Sequence, residues 1–159
     1  MDNRRTGALI FMNILAVDDD KAMTELIAML LQKHGFVVRG SNSAREAIKI
    51  IGENWAHAVV LDLMMPDIDG RQVCKMVREF SNVPIIILSA FNDPDIVAES
   101  LDSGADDYLV KPVPSEVLAA HITRLIRRTG RLTLNRNSLA ASAWIPASAS
   151  IPTTPIKSS

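Results

Sequence analysis

Four short apolar runs, each stopping at a polar residue, constrain this chain more than anything else in it. Ile14-Leu15-Ala16-Val17 stops at Asp18 and Asp19, and Ala58-Val59-Val60-Leu61 stops at Asp62. Ile85-Ile86-Ile87-Leu88 stops at Ser89, and Tyr108-Leu109-Val110 stops at Lys111. Such compact, β-branched runs bounded by polar or turn residues are strand patterns. Val37-Val38-Arg39 is a weaker fifth. Near-continuous apolarity, without alternation, is expected of parallel strands covered on both faces.

Helical periods lie between the runs. Met23, Leu26, Ile27, Leu30 and Leu31 recur at helix spacing, with Gly35 as a stop. Ala44, Ala47, Ile48 and Ile51 form a second stripe, opened by a capping-box pattern at Ser43 and Glu46. Val73, Met76, Val77 and Phe80 form a third after Gly70. A fourth helix opens at Asp93-Pro94, an N-cap followed by proline at the first helical position, and ends near Gly104. The fifth runs from about Pro114 to Arg128 through Val117, Leu118, Ile122, Leu125 and Ile126. Strand and helix therefore alternate five times. That order implies an α/β fold with a parallel sheet, right-handed crossovers and helices on both faces. Function in such sheets collects beyond the carboxyl ends of the strands.

Composition narrows the rest. The 159 residues suffice for one domain with a sizeable core. Seventeen basic against 18 acidic residues argue against a chain that coats nucleic acid through net charge. The one cysteine, Cys74, excludes an internal disulfide and a cysteine metal cluster, and its helical setting makes it a buried structural thiol. No apolar stretch reaches the length of a membrane span, roughly 18 residues. Residues 1–12 carry Arg4 and Arg5, then a short apolar patch without a small-residue cleavage site, and are expected to be a cytoplasmic N-terminal extension. Residues 13–129 are the expected domain. Residues 130–159 begin with a strand-like Gly130-Arg131-Leu132-Thr133-Leu134 and become rich in Ser, Ala, Pro and Thr. They are expected to be a linker or disordered tail, or the remnant of a truncated output domain. Arg124, Arg127, Arg128, Arg131 and Arg136 make this end basic, which fits a helix C-terminus leading into a linker better than a nucleic-acid surface.

The polar residues at the strand ends carry the chemistry. Like charges about 4 Å apart repel by about 4 kcal/mol at an effective dielectric near 20. Asp18, Asp19 and Asp62 gathered at one sheet edge therefore need a raised pKa or a bound cation. Mg²⁺, with Mn²⁺ as an alternative, suits carboxylate and carbonyl oxygens and completes its shell with phosphate. Asp62 is the expected nucleophile, since a carboxylate can form an aspartyl phosphate. Lys111 is a compact charge suited to phosphoryl oxygens, and Ser89 can donate one hydrogen bond. Taken singly, each residue has a plainer reading. Asp18-Asp19-Asp20 could cap the first helix, Asp62 could open a turn, and Lys111-Pro112 could be surface. The weight lies in four signals falling at four strand ends in a consistent order.

Val17-Asp18-Asp19-Asp20, Leu61-Asp62-Leu63-Met64-Met65-Pro66-Asp67-Ile68-Asp69-Gly70, Leu88-Ser89-Ala90 and Gly104-Ala105-Asp106-Asp107-Tyr108-Leu109-Val110-Lys111-Pro112 together resemble the CheY-like receiver domain of bacterial two-component response regulators. The resemblance runs from about Asn13 to Arg128. It implies a flavodoxin-like, doubly wound five-stranded (βα)5 three-layer sandwich. By the same resemblance Asp62 takes a phosphoryl group from a sensor histidine kinase or phosphotransfer protein. Asp19, Asp62 and the main-chain carbonyl of Met64 would ligate Mg²⁺, with Asp18 acting through water. Ser89 and Lys111 would read the phosphoryl oxygens, Tyr108 would be the switch aromatic, and Lys111-Pro112 would be cis. Met64 and Phe91 stand at the positions that control water access, and both are bulky and apolar, so slow hydrolysis is expected. The chain would be a signalling phosphoacceptor and not an enzyme acting on other substrates.

Gly104-Ala105-Asp106-Asp107-Tyr108 resembles the OmpR/PhoB branch, whose receivers pair through the face of the fourth helix, fifth strand and fifth helix. His121 replaces an arginine of that branch and is expected to be a solvated helix position. Two other classes compete. A haloacid-dehalogenase type enzyme needs an aspartate where Met64 stands, and a dinucleotide or P-loop enzyme needs a glycine-rich turn after the first strand. A phosphorylation-independent interaction module on the same fold, or a receiver fragment of a DNA-binding regulator, stays open.

Overall fold

The computed structural model describes residues 11–130. Residues 1–10 of the expected extension, Arg131, Arg136, the strand expected after Gly130 and the polar tail lie outside the described residues. Within them five strands and five helices alternate as expected: β1 (Asn13–Val17), α1 (Lys21–Gln32), β2 (Val37–Ser41), α2 (Ala44–Gly52), β3 (Ala58–Leu61), α3 (Gly70–Arg78), β4 (Ile85–Ser89), α4 (Pro94–Asp102), β5 (Asp107–Val110) and α5 (Ser115–Arg128).

All neighbouring strands are parallel, in the order β2-β1-β3-β4-β5. The chain moves outward from β1 to β2, then returns to the other side of β1 for β3. The β1–β3 boundary is thus the topological switch point, where a parallel sheet opens a crevice at its carboxyl edge. Asn13–Ile122 form one compact unit. One face of its sheet carries Leu15, Val17, Val59, Leu61, Ile85 and Ile87, clustered with Ala47, Ile50, Ile51, Val73, Cys74 and Val77 of α2 and α3. The alternate residues Ile14, Ala16, Val60 and Ile86 are equally buried and, by the two-residue period, belong to the other face. Cys74 is fully buried, and burial pushes its thiol up to about 11. The described residues after Ile122 complete α5, where Thr129 N–H donates to the Ile126 carbonyl at 3.0 Å.

The caps follow the sequence with two changes. Asp20 and Asp93 cap α1 and α4, and Pro94 holds the first helical position. Ser43 accepts the Glu46 N–H, but Glu46 turns to the Ser41 hydroxyl at 2.9 Å and leaves that capping box half formed. The complete capping box belongs to Asp69 and Gln72 at the start of α3. Gly35 and Gly104 both take positive φ, as helix stops require.

The apolar stripes are narrower than their periodicity suggests. In α1, Ile27 and Leu31 are buried with Thr24, whereas Leu26 is 44% exposed. In α2, Ile50 is buried and Ile48 only half-buried. Met76, Phe80 and Val117 are exposed, and Phe80 lies past the last turn of α3. A residue three or four places from a buried one sits up to about 60° round the helix, at the stripe's edge. Leu31→Ala is therefore expected to cost about 2–5 kcal/mol by cavity formation, and Leu26→Ala less than about 1 kcal/mol. Urea unfolding of the two variants measures the contrast.

Candidate functional site

Register places the site. Val17 pairs with Leu61 across β1 and β3, and the ladder runs one residue further, with Asp62 N–H donating to the Val17 carbonyl at 2.9 Å. Asp18 N–H donates to the Ser41 carbonyl at 3.1 Å on the other side. On the far edge Lys111 N–H donates to the Ser89 carbonyl at 2.8 Å. Asp18, Asp62 and Lys111 each form the last link of a strand ladder, which holds their main chain while their side chains meet at the crevice.

Asp18, Asp19 and Asp62 each bring a carboxylate oxygen within 4.8 Å of the other two. Asp18 is buried, Asp62 half-buried and Asp19 exposed. Lys111 Nζ lies 3.6 Å from both Asp18 Oδ2 and Asp62 Oδ1. Burial raises the Asp62 carboxyl above the ordinary range, and Asp18 and Asp19 raise it further against the pull of Lys111, to about 6. One ammonium thus counters three carboxylates only in part. The donor set is all oxygen and triply anionic, which fits a hard divalent cation such as Mg²⁺. Asp18 also accepts the Asp20 N–H at 2.9 Å, and Asp20 in turn caps α1. The capping and cleft readings of the aspartate run therefore both hold, divided among its members.

Ser89 is buried, and its Oγ accepts the Phe91 N–H at 3.2 Å. The Tyr108 hydroxyl donates to the Phe91 carbonyl at 2.7 Å. Both hydroxyls therefore grip the main chain of one residue in the β4–α4 loop. The Tyr108 ring is half-buried against the core. Lys111-Pro112 is cis, as the resemblance implied. Met64 and Phe91 are 52% and 45% exposed.

His121 departs from the solvated position expected of it. Its Nδ1 meets Asp107 Oδ2, and the other Asp107 oxygen accepts the Tyr108 N–H at 2.9 Å. Leu118 and Ile122 bury the neighbouring face of α5, which sets His121 at the edge of the β5 strand.

Sequence reasoning overlooked how closely α3 approaches the Asp62 loop. A Cβ on Gly70 would lie 2.9 Å from the Asp62 carbonyl oxygen and 3.0 Å from Leu63 Cα, so only glycine fits there without displacing backbone. Gly70 N–H closes the loop by donating to the Leu63 carbonyl at 2.8 Å. Arg71 then bridges the Asp69 cap to Glu99 of α4. Asp69-Gly70, a cap followed by a residue without a side chain, was the available signal. Asn42, also passed over, reaches the Asp18 carbonyl from the β2–α2 loop at 2.8 Å.

A family model described as response regulator receiver domain matches residues 14–123. The transcriptional regulatory protein AfsQ1 of Streptomyces coelicolor is 40% identical over 75% of this chain and 53% of its own length. The response regulator MprA of Mycobacterium leprae is 42% identical over 74% of this chain and 52% of its own length. The chain thus spans about half the length of the curated relatives it matches. A two-component response regulator from Clostridium difficile has a TM-score of 0.70 at 30% identity, covering 74% of this chain and 98% of that one. The chemotaxis protein CheY4 of Vibrio cholerae scores 0.66 at 28% identity, covering 72% and 98%.

The raised Asp62 carboxyl has a stability consequence. The folded state holds this proton more tightly than the unfolded chain, so the group contributes most below the unfolded value near 4 and that contribution is lost as pH rises through about 6. In cation-free buffer, Asp62→Asn is expected to stabilise the protein by about 2–3 kcal/mol at pH 8. The gap should close below about pH 4, as read by denaturant unfolding across the pH range.

Proposed function

The chain belongs to the response regulator receiver family, and on that premise we propose that it is a cytoplasmic, Mg²⁺-dependent phosphoacceptor switch with Asp62 as the acceptor. The carrying observation is that the carboxylate just after β3 lies 3.6 Å from the Lys111 ammonium and within 4.8 Å of two further carboxylates. An Asp62 oxygen attacks the phosphorus of a phosphohistidine on a sensor kinase or phosphotransfer protein. A new O–P bond forms, the P–N bond breaks, and its electron pair stays on the leaving imidazole. With its carboxyl at about 6, Asp62 is mostly ionised at neutral pH and available as nucleophile. Asp19, Asp62 and the Met64 carbonyl would hold the cation directly and Asp18 through water; when bound, it neutralises charge on the arriving phosphoryl group.

Lys111 and Ser89 then respond to the product. Lys111 gains a dianionic partner in place of two carboxylates it already faces. The Ser89 hydroxyl, turning to donate to a phosphoryl oxygen, weakens its grip on the Phe91 N–H. Tyr108 holds the carbonyl of the same residue, so a shift of the loop reaches β5. In this reading phosphorylation biases a pre-existing equilibrium of the α4-β5-α5 face. The output is a protein contact, a second copy of the chain included, and not catalysis on another substrate. The name of the Streptomyces coelicolor relative, a transcriptional regulatory protein, favours gene control as the process served.

Incubation with acetyl phosphate and Mg²⁺ is expected to give one hydroxylamine-sensitive phosphoryl adduct by intact mass, absent in Asp62→Asn and after chelation. No adduct on the parent chain would leave the phosphorylation-independent module as the better reading. The apolar Met64 beside the acceptor should restrict attacking water. Met64→Asn, which can orient a water, is expected to shorten the adduct's lifetime severalfold; an unchanged or longer lifetime counts against that role.

A further inference from the structure

We infer that Asn42 is a positioning residue for the cation site: its carboxamide, arriving from the β2–α2 loop, braces the main chain that aims Asp18 and Asp19 at Asp62. The inference rests on reading those three carboxylates as a cation site.

Asn42 Nδ2 donates to the Asp18 carbonyl at 2.8 Å and to Thr24 Oγ1 at 3.2 Å. Thr24 is buried and commits its own hydroxyl proton to the Lys21 carbonyl at 2.9 Å. Its oxygen is therefore an acceptor towards Asn42, as is the Asp18 carbonyl. Both protons of one amide nitrogen are used, and the reversed amide would set its oxygen against two acceptors. The chemistry calls for asparagine, since aspartate offers no donor here and alanine offers nothing.

The brace adds side-chain links among three segments that the β1–β2 ladder and the start of α1 already bring close together. Asp18 belongs to the stretch entering α1, Thr24 to the first turns of α1, and Asn42 to the turn after the neighbouring strand. A second link, Asp18 N–H to the Ser41 carbonyl, ties the same residue from its other end. Thr24 also packs tightly on the strand, for a Cβ on Gly40 would meet its side chain at 3.1 Å. Asp18, Asp19 and Asp62 repel one another, so without a cation the stretch carrying two of them tends to open. The Asn42 amide opposes that opening while touching no carboxylate. Groups that orient metal ligands affect affinity strongly even though they never meet the ion.

The full chain is titrated with Mn²⁺, reading free Mn²⁺ by electron paramagnetic resonance. Asn42→Ala is expected to raise the dissociation constant by about tenfold, and Asn42→Ser, which keeps one donor, by less. Ser43→Ala is the control: it removes the α2 cap from the adjacent residue and so lowers the melting temperature, but touches nothing that holds Asp18, and should bind Mn²⁺ like the parent. Parent-like affinity in Asn42→Ala overturns the inference, as does an equal loss in Ser43→Ala, which would mark general loosening of the loop. Should Asn42→Ala not fold, Asn42→Ser decides, and parent-like affinity there overturns it. A parent chain that binds no Mn²⁺ overturns the underlying reading as well. A parent that binds Mn²⁺ and is phosphorylated, with Asn42→Ala equal to it, overturns this inference alone.

Discussion

Everything at the carboxyl edge of this sheet answers to one electrostatic problem. The register of β1 against β3 puts Val17 beside Leu61, and so sets two aspartates next to each other where the strands end. Asp19 adds a third carboxylate, and burial removes much of the water that would screen them. Lys111 relieves the crowding from β5 but reaches each of its two partners at 3.6 Å, a long contact for an ion pair. The remaining strain shows as a carboxyl held near 6. The proposed phosphoacceptor function rests on this surplus of negative charge beside one ammonium.

The surrounding structure keeps that arrangement from relaxing. Asn42 and the Ser41 carbonyl hold Asp18 from the β2 side. Gly70 lets α3 press against the backbone that follows Asp62, and the Asp69–Gln72 capping box fixes the start of that helix. The β4–α4 loop is tied more lightly, by two hydroxyls from Ser89 and Tyr108 that meet on Phe91. α4 beyond it fully buries only Ser100 and packs the half-buried Ile96 on the core, a thinner apolar anchor than that of α2 or α3. The main-chain ties are therefore denser around Asp62 than around Phe91, a difference that the proposed switch would use.

Much of this was legible in the chain. The five strands, their parallel pairing and the gathering of Asp18, Asp19, Asp62 and Lys111 follow from apolar runs that end in polar residues. Helix surfaces were less legible, because a three-or-four spacing marks both the centre and the rim of a buried stripe. Leu26, Met76 and Val117 lie on the rim and stay exposed. His121 was misjudged for a related reason: its partner Asp107 is 14 positions away, and only the packing of α5 on β5 reveals the pair.

The sequence by itself determined which residues stand at the strand ends, because strand and helix periods are local and polar residues interrupt them visibly. Only the tertiary structure decided how those residues share the charge: that Asp20 caps while Asp18 and Asp19 face the crevice, that Lys111 divides itself between two carboxylates, and that Ser89 and Tyr108 meet on one peptide. Those outcomes depend on register, burial and side-chain reach across elements far apart in the chain. A hydrogen bond from Asn42 to Asp18 spans 24 positions, and no local pattern encodes it.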